Sequence, residues 1–404
     1  MRVLMVGSRS QVGRWLGVVF LAACGWACAA ETVVVTKGVP ANPGIFLADF
    51  KGPEGVRAHL LSTLGRCDWF TVRPSIEGAA YLLEGTYAAG TPAGLELVAK
   101  FGEATVAQVR VSAGDNERLV FRAIDALISK LFDVPGLCAS RLAFTVASAG
   151  RREVFLCNFD GSGATQLTRN GTFSTEPAWG PGARNLVYTV YGRDRTAVME
   201  VDLNSRRQRL LSSFPGLNSG ADVSPDGGRV AVCLSKDGRV DLYVMRSADK
   251  GLRRLTNDVA VESSPAWSPD GRSLCYVSDS AGKPQLYVVS AGGGRPSRLL
   301  NEVSECVSPD WSGVSNKICF ATRQAGQYRI AVVDMADRGS GKTVVETEPG
   351  DWESPCWAPD GRHVVCTRSS GRQSQLVMVD TLSGRALPIT ASGDVSLPTW
   401  SDLH

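Results

Sequence analysis

Three histidines (His59, His363 and His404) and eleven cysteines are the residues of this 404-residue chain most suited to catalysis or metal binding. Their spacing argues against both. No two cysteines form a C-x-x-C pair, and the three histidines do not cluster with the cysteines. No G-x-S-x-G elbow is present to carry a serine nucleophile. His363 falls at the edge of a strand-like run and His404 is terminal, so neither is placed to act as a base. Cys233, Cys275, Cys319 and Cys366 lie inside apolar runs about one repeat apart, where cysteine serves as a small buried hydrophobe. No catalytic residue, metal or cofactor is expected. Aspartates recur in Pro-Asp-Gly steps and invite a reading as a carboxylate ring. The step is better read as a turn, with proline presetting φ and glycine taking the position where a Cβ would clash.

Those turns belong to a repeat. The anchors Trp179-Gly-Pro-Gly, Val223-Ser-Pro-Asp-Gly, Trp267-Ser-Pro-Asp-Gly, Trp311-Ser-Gly, Trp357-Ala-Pro-Asp-Gly and Trp400-Ser-Asp follow one another at 44, 44, 44, 46 and 43 residues. Around each stand four short strand-like runs rich in β-branched and aromatic residues, which is the pattern of a propeller blade. Pro177, Pro265, Pro309, Pro355 and Pro398 each come two residues before an anchor. Proline is tolerated in a strand only where its missing N–H breaks no ladder, so the anchor strands should be innermost, facing a central channel. The first repeat lacks an inner strand and the last anchor has nothing after it. Residues 141–404 therefore predict a six-bladed β-propeller closed by pairing N- and C-terminal strands, which removes open sheet edges.

Residues 31–136 lack the repeat and predict a small α/β domain. A helix from Pro53 to Arg66 and another from Asp115 to Phe132 alternate with strands Trp69–Arg73, Tyr81–Tyr87, Leu95–Phe101 and Thr105–Val111. Asp133-Val-Pro-Gly is the expected hinge. Residues 1–30 read as a signal peptide: Arg2, Arg9 and Arg14, then an apolar run, then small residues up to Ala30. A rival reading makes Leu21-Ala22-Ala23-Cys24 a lipobox, with Cys24 lipid-anchored. No later run is long enough to span a membrane. Without the leader, 40 basic residues stand against 40 acidic ones, so charge gives no case for nucleic acid.

Taken together, the export signal, the small α/β domain and the Trp-Ser-Pro-Asp-Gly anchors resemble the TolB family, the periplasmic component of the bacterial Tol–Pal system. Asp49-Phe50, Trp69-Phe70…Pro74, Asp125 in the last helix and Arg141-Leu-Ala-Phe carry the likeness. Val223 and Ser312-Gly313 depart from it. The resemblance implies a periplasmic binding protein that maintains the outer membrane and acts in constriction at division. It implies a Pal-like peptidoglycan-associated lipoprotein bound over one channel mouth, through Thr175 and Glu176 and, by repeat position, Glu262, Ser263, Ser264, Ser308, Glu353 and Ser354. It also implies a TolA-like inner-membrane protein bound by the mature N-terminus, Glu31, Thr32 and Val33. Two rivals remain. One is a channel that binds a small ligand or sugar, with Trp352 and Trp357 stacking on it. The other is a peptidase-type propeller lacking its catalytic domain.

Overall fold

The computed structural model describes residues 33–34, 42–247, 251–301, 304–337, 341–391 and 393–402. The leader, Cys24, Glu31, Thr32 and His404 lie outside them. No helix among the described residues is long and apolar enough to cross a membrane.

The first part is a five-stranded sheet with two helices. Its order is Thr71–Val72, Gly44–Lys51, Tyr81–Ala88, Ala93–Phe101, Ala104–Ala113, parallel for the first three and antiparallel thereafter. Alternation along Ala93–Phe101 turns Ala93, Leu95, Leu97 and Ala99 inward. Helix α1 (Glu54–Arg66) buries Val56, Leu60 and Leu64. Helix α2 (Asn116–Phe132) buries Leu119, Val120, Ala123, Ile124, Leu127 and Ile128, at the spacing of one helical face. Asp115 caps α2 by accepting from the Arg118 N–H at 2.8 Å, which satisfies one orphan donor of the first turn.

The chain then runs through Asp133, in the left-handed region, into β structure. Asp125 of α2 fastens this passage. Its carboxylate accepts from the N–H groups of Cys138 (2.7 Å) and Ala139 (2.8 Å). The apolar core continues across it: Leu137 and Cys138 pack with Leu142, Phe159, Met378 and Trp400 as well as with α1 and α2.

From Arg141 onward the described residues form six groups of four strands, a β-propeller arrangement of mostly antiparallel pairs. One group is Glu262–Trp267, Ser273–Ser278, Gln285–Ser290 and Ser297–Arg298, paired in that order. Each anchor strand is the first of its group: Phe173–Trp179, Asn218–Val223, Glu262–Trp267, Cys306–Trp311, Asp351–Trp357 and Val395–Trp400. The last of these, from the C-terminus, pairs antiparallel with Arg141–Ser148. A single parallel pairing, Phe173 with Arg152, joins the first two groups into one sheet. Val33–Val34 adds in parallel to Thr343–Val344.

The Pro-Asp-Gly steps are turns. In one, Asp270 accepts from the Ser268 hydroxyl (2.6 Å) and the Arg272 N–H (3.0 Å), while Gly271 holds φ +64°. No disulfide joins the nine described cysteines, and all are buried except the half-buried Cys356.

Candidate functional site: two axial cavities and a ring of bulges

Every anchor strand carries the same irregularity. Its register with the next strand shifts between, for example, Ser263 and Ala266, or Glu353 and Cys356. The residue before proline there lies at positive φ: Glu176 (+53°), Ser264 (+48°), Ser308 (+51°), Ser354 (+50°) and Leu397 (+52°). In the strand without proline the position is Gly220 (+60°). Non-glycine residues in this region cost roughly 1–3 kcal/mol each and persist only when the surroundings enforce them. A bulge adds one residue to a strand and re-aims the side chains around it. Six bulges at one level therefore set the walls of the axis.

Two cavities lie along that axis. One, ≈210 Å³, is lined by the bulges, including Glu176, Ser263, Ser264, Ser308, Ser354 and Leu397. The other, ≈470 Å³, is lined by all six anchors, by turn prolines such as Pro181, Pro225 and Pro269, and by Pro135 of the hinge. Asp222 and Asp310 line both. Each reaches across to the next anchor strand. Asp222 accepts from the Trp267 N–H at 2.8 Å and from the Val223 N–H at 2.9 Å; Asp310 accepts from the Trp357 N–H at 2.7 Å. Burial, and after it the charge of Asp310, pushes the Asp222 carboxyl up to about 7. Burial raises Asp310 as well.

The structure sorts the residues singled out by sequence. Glu176, Ser263, Ser264, Ser308 and Ser354 come together around the smaller cavity, with Ser263 exposed and the others half-buried. Glu176 is already engaged, accepting from the Thr189 hydroxyl (2.8 Å) and the Gly220 N–H (2.9 Å). Two residues expected at the partner surface are buried. Thr175 is buried, its hydroxyl 3.4 Å from that of Thr145. Glu262 is 1% exposed beneath Ser278, and burial, then the Asp258 charge, pushes its carboxyl up to about 8. Glu353 is half-buried, and burial, then Asp351, raises its carboxyl. Trp352 and Trp357, named for sugar stacking, are 0% and 5% exposed, and Trp357 is among the residues lining the larger cavity. Trp352 is committed to the Glu348 carbonyl at 2.9 Å.

Sequence reasoning missed Asp222, Asp310, Gly220 and Leu397. A signal existed in the residue just before each anchor. It is Ala178, Asp222, Ala266, Asp310, Cys356 or Thr399, and it is acidic only before Val223 and Trp311.

The fold and its axial site define a β-propeller whose inner strands converge on a narrow central passage. The description "TolB beta propeller domain" matches residues 128–404, and the chain belongs to the TolB family. A Tol-Pal system protein TolB of Anaeromyxobacter dehalogenans (strain 2CP-1) is 30% identical over 247 residues, 60% of this chain and 56% of that protein. One from Desulfosudis oleivorans is 30% identical over 142 residues, 35% of this chain and 32% of that protein. The chain thus matches about half or less of the length of these relatives. The crystal structure of TolB from Acinetobacter baumannii superposes with a TM-score of 0.79, covering 89% of this chain and 96% of that one. At 22% identity this likeness shows the fold.

Proposed function

We propose that this chain is the periplasmic protein-binding component of a Tol–Pal envelope system, exported by its leader and without catalytic activity of its own. It acts in outer-membrane integrity and in envelope constriction at division. In this reading residues 31–136 are an α/β domain and residues 141–404 are six blades, closed into a ring where Val395–Trp400 pairs with Arg141–Ser148. A Pal-like lipoprotein docks over the mouth bearing the bulges, and a TolA-like inner-membrane protein takes the mature N-terminus, Glu31, Thr32 and Val33.

The observation that carries the docking reading is the convergence of Ser263, Ser264, Ser308 and Ser354 around one cavity. They offer short hydroxyls on a strained, rigid backbone, which suits hydrogen bonding to a folded partner at low entropic cost. Thr175 and Glu262 are buried, so the reading rests on the serines and not on them. The test is calorimetry with the soluble part of a purified Pal-like lipoprotein. Ser263→Trp places a bulky ring at an exposed position and is expected to weaken binding at least tenfold, about 1.4 kcal/mol, with little change in Tm. Unchanged affinity removes Ser263 from the interface. Absence of binding by the unsubstituted protein overturns the Tol–Pal assignment.

A further inference from the structure

His363 begins a strand of the sixth group and is fully buried where that group meets the end of α1. Its Nδ1 lies 2.6 Å from Asp360 Oδ2, and its Nε2 lies 3.7 Å from Asp68 Oδ2. Neither Nε2 nor Asp68 Oδ2 has a hydrogen-bond partner among the described residues. The other charged groups of the cluster are paired. Arg362 forks onto Asp380 (3.1 and 2.7 Å), and Arg385 meets Asp68 Oδ1 at 2.8 Å. Asp360 also accepts from the Trp69 indole N–H at 3.0 Å, and the Arg362 guanidinium lies 4.7 Å over the Trp69 ring.

Three carboxylates (Asp68, Asp360, Asp380) thus face two guanidiniums in a buried site. One positive charge is missing, and the imidazole stands between the two carboxylates that need it. A buried charge without a partner is strongly unfavourable. We propose that His363 is held as an imidazolium bridging Asp360 and Asp68, so that a bound proton latches the N-terminal segment to the last blade. Burial opposes the charge, but Asp360, Asp68 and Asp380 outweigh it and raise the His363 pKa to about 9. The latch is complete below the ordinary histidine pKa of about 6.5 and is lost as pH rises through about 9. A metal ion at Asp68, His363 and Asp380, whose ligand atoms lie within 4.8 Å of one another, is the competing occupant. Two adjacent guanidiniums and the commitment of Asp380 to Arg362 disfavour it.

The sequence has only three histidines, so an NMR titration resolves each. His363 is expected to titrate at least a hundredfold below the proton concentration at which an ordinary histidine does. Asp68→Asn should move that midpoint to an at least tenfold higher proton concentration. Protection of the Trp69 indole N–H against exchange should fall at the same midpoint, and His363→Gln should abolish that pH dependence. Titration of His363 at or below pH 6.5, or a stoichiometric metal in the purified protein, overturns the proposal. So does an indole exchange profile that is the same in Asp68→Asn and His363→Gln as in the parent.

Discussion

The carboxylate of Asp222 joins two neighbouring inner strands by accepting the backbone N–H of Trp267 at 2.8 Å, while the Asp222 carbonyl accepts the Trp267 indole N–H at 3.1 Å. Asp310 makes the corresponding backbone link to Trp357 at 2.7 Å. Each link bridges two groups of strands at the axis. Replacing Asp222 by alanine leaves the Trp267 N–H without its acceptor, which costs about 1–3 kcal/mol for a buried donor. Asp222→Asn keeps a carbonyl acceptor and should retain most of the stability. Chemical denaturation of both variants separates the outcomes: equal loss in the two would show that charge, not the hydrogen bond, matters.

Glu262 sets a pH dependence of its own. Its folded-state pKa of about 8 stands above the unfolded value of about 4.3, so the native state holds the proton longer than the unfolded chain. Stability is then full below about pH 4 and declines as pH rises through 8, the reverse of an ion-paired carboxylate. Glu262→Gln removes the ionisation and keeps the shape. It should raise stability at pH 8.5 by about 1 kcal/mol or more and leave it nearly unchanged at pH 4. Thermal melts at the two pH values decide this, and a uniform loss at both would contradict the assignment.

The repeat was legible because tryptophan and the Pro-Asp-Gly turn announce themselves in composition and spacing. So were α2, through the period of Ile124, Leu127 and Ile128, and the alternating Leu95, Leu97 and Ala99. Side-chain direction near the axis was not. In a strand, one extra residue reverses which face a side chain takes. The bulge at Ser264 therefore breaks the alternation that would have assigned Glu262 and Ser263 to their sides, and Glu262 turns inward while Ser263 turns out. Serine and leucine at positive φ give no compositional warning, since that conformation is imposed by neighbouring strands. The cluster at His363 was hidden for another reason. Asp68 and Asp360 are 292 residues apart, and only packing of α1 against the last blade brings them to one ring.

Asp125, packed against Gly136, fastens the passage out of α2 through the N–H groups of Cys138 and Ala139. A Cβ added to Gly136 would stand 2.1 Å from Asp125 Oδ1 and 2.5 Å from the Asp125 Cα, so neither backbone nor cap has room to yield. Gly136→Ala should displace the carboxylate from the N–H groups of Cys138, which is buried, and Ala139, which is half-buried, with a loss of about 2–4 kcal/mol. Asp125→Ala removes the same acceptor without the clash and should reach a similar loss. Its Tm, together with cleavage near residues 133–140 in limited proteolysis, is the measurement. Unchanged proteolysis in both variants would show that the cap does not hold the passage.

Closure of the ring is the remaining prediction. Val395–Trp400 pairs with Arg141–Ser148, the Trp400 indole N–H reaches the Ser140 hydroxyl, and the Arg141 N–H donates to the Ser401 hydroxyl at 2.9 Å. The Trp179 indole, on the neighbouring inner strand, donates to the Thr399 carbonyl at 3.2 Å. Removing residues 397–404 strips the Thr399–Ala143 and Trp400–Leu142 pairs and these side-chain contacts, and leaves the Arg141–Ala143 end as an open edge beside an unfilled slot. An exposed strand edge is a template for pairing with other chains, so the truncated protein should aggregate or lose cooperative unfolding. A point variant guards against a trivial folding failure. Trp400→Ala leaves the backbone ladder in place and removes a large ring that is 6% exposed, at a cost of about 3–5 kcal/mol. Calorimetry of the parent, Trp400→Ala and the truncation should then show one sharp transition, one lowered sharp transition, and none. A truncation that melts as sharply and as high as the parent would mean that the C-terminal strand does not close the propeller.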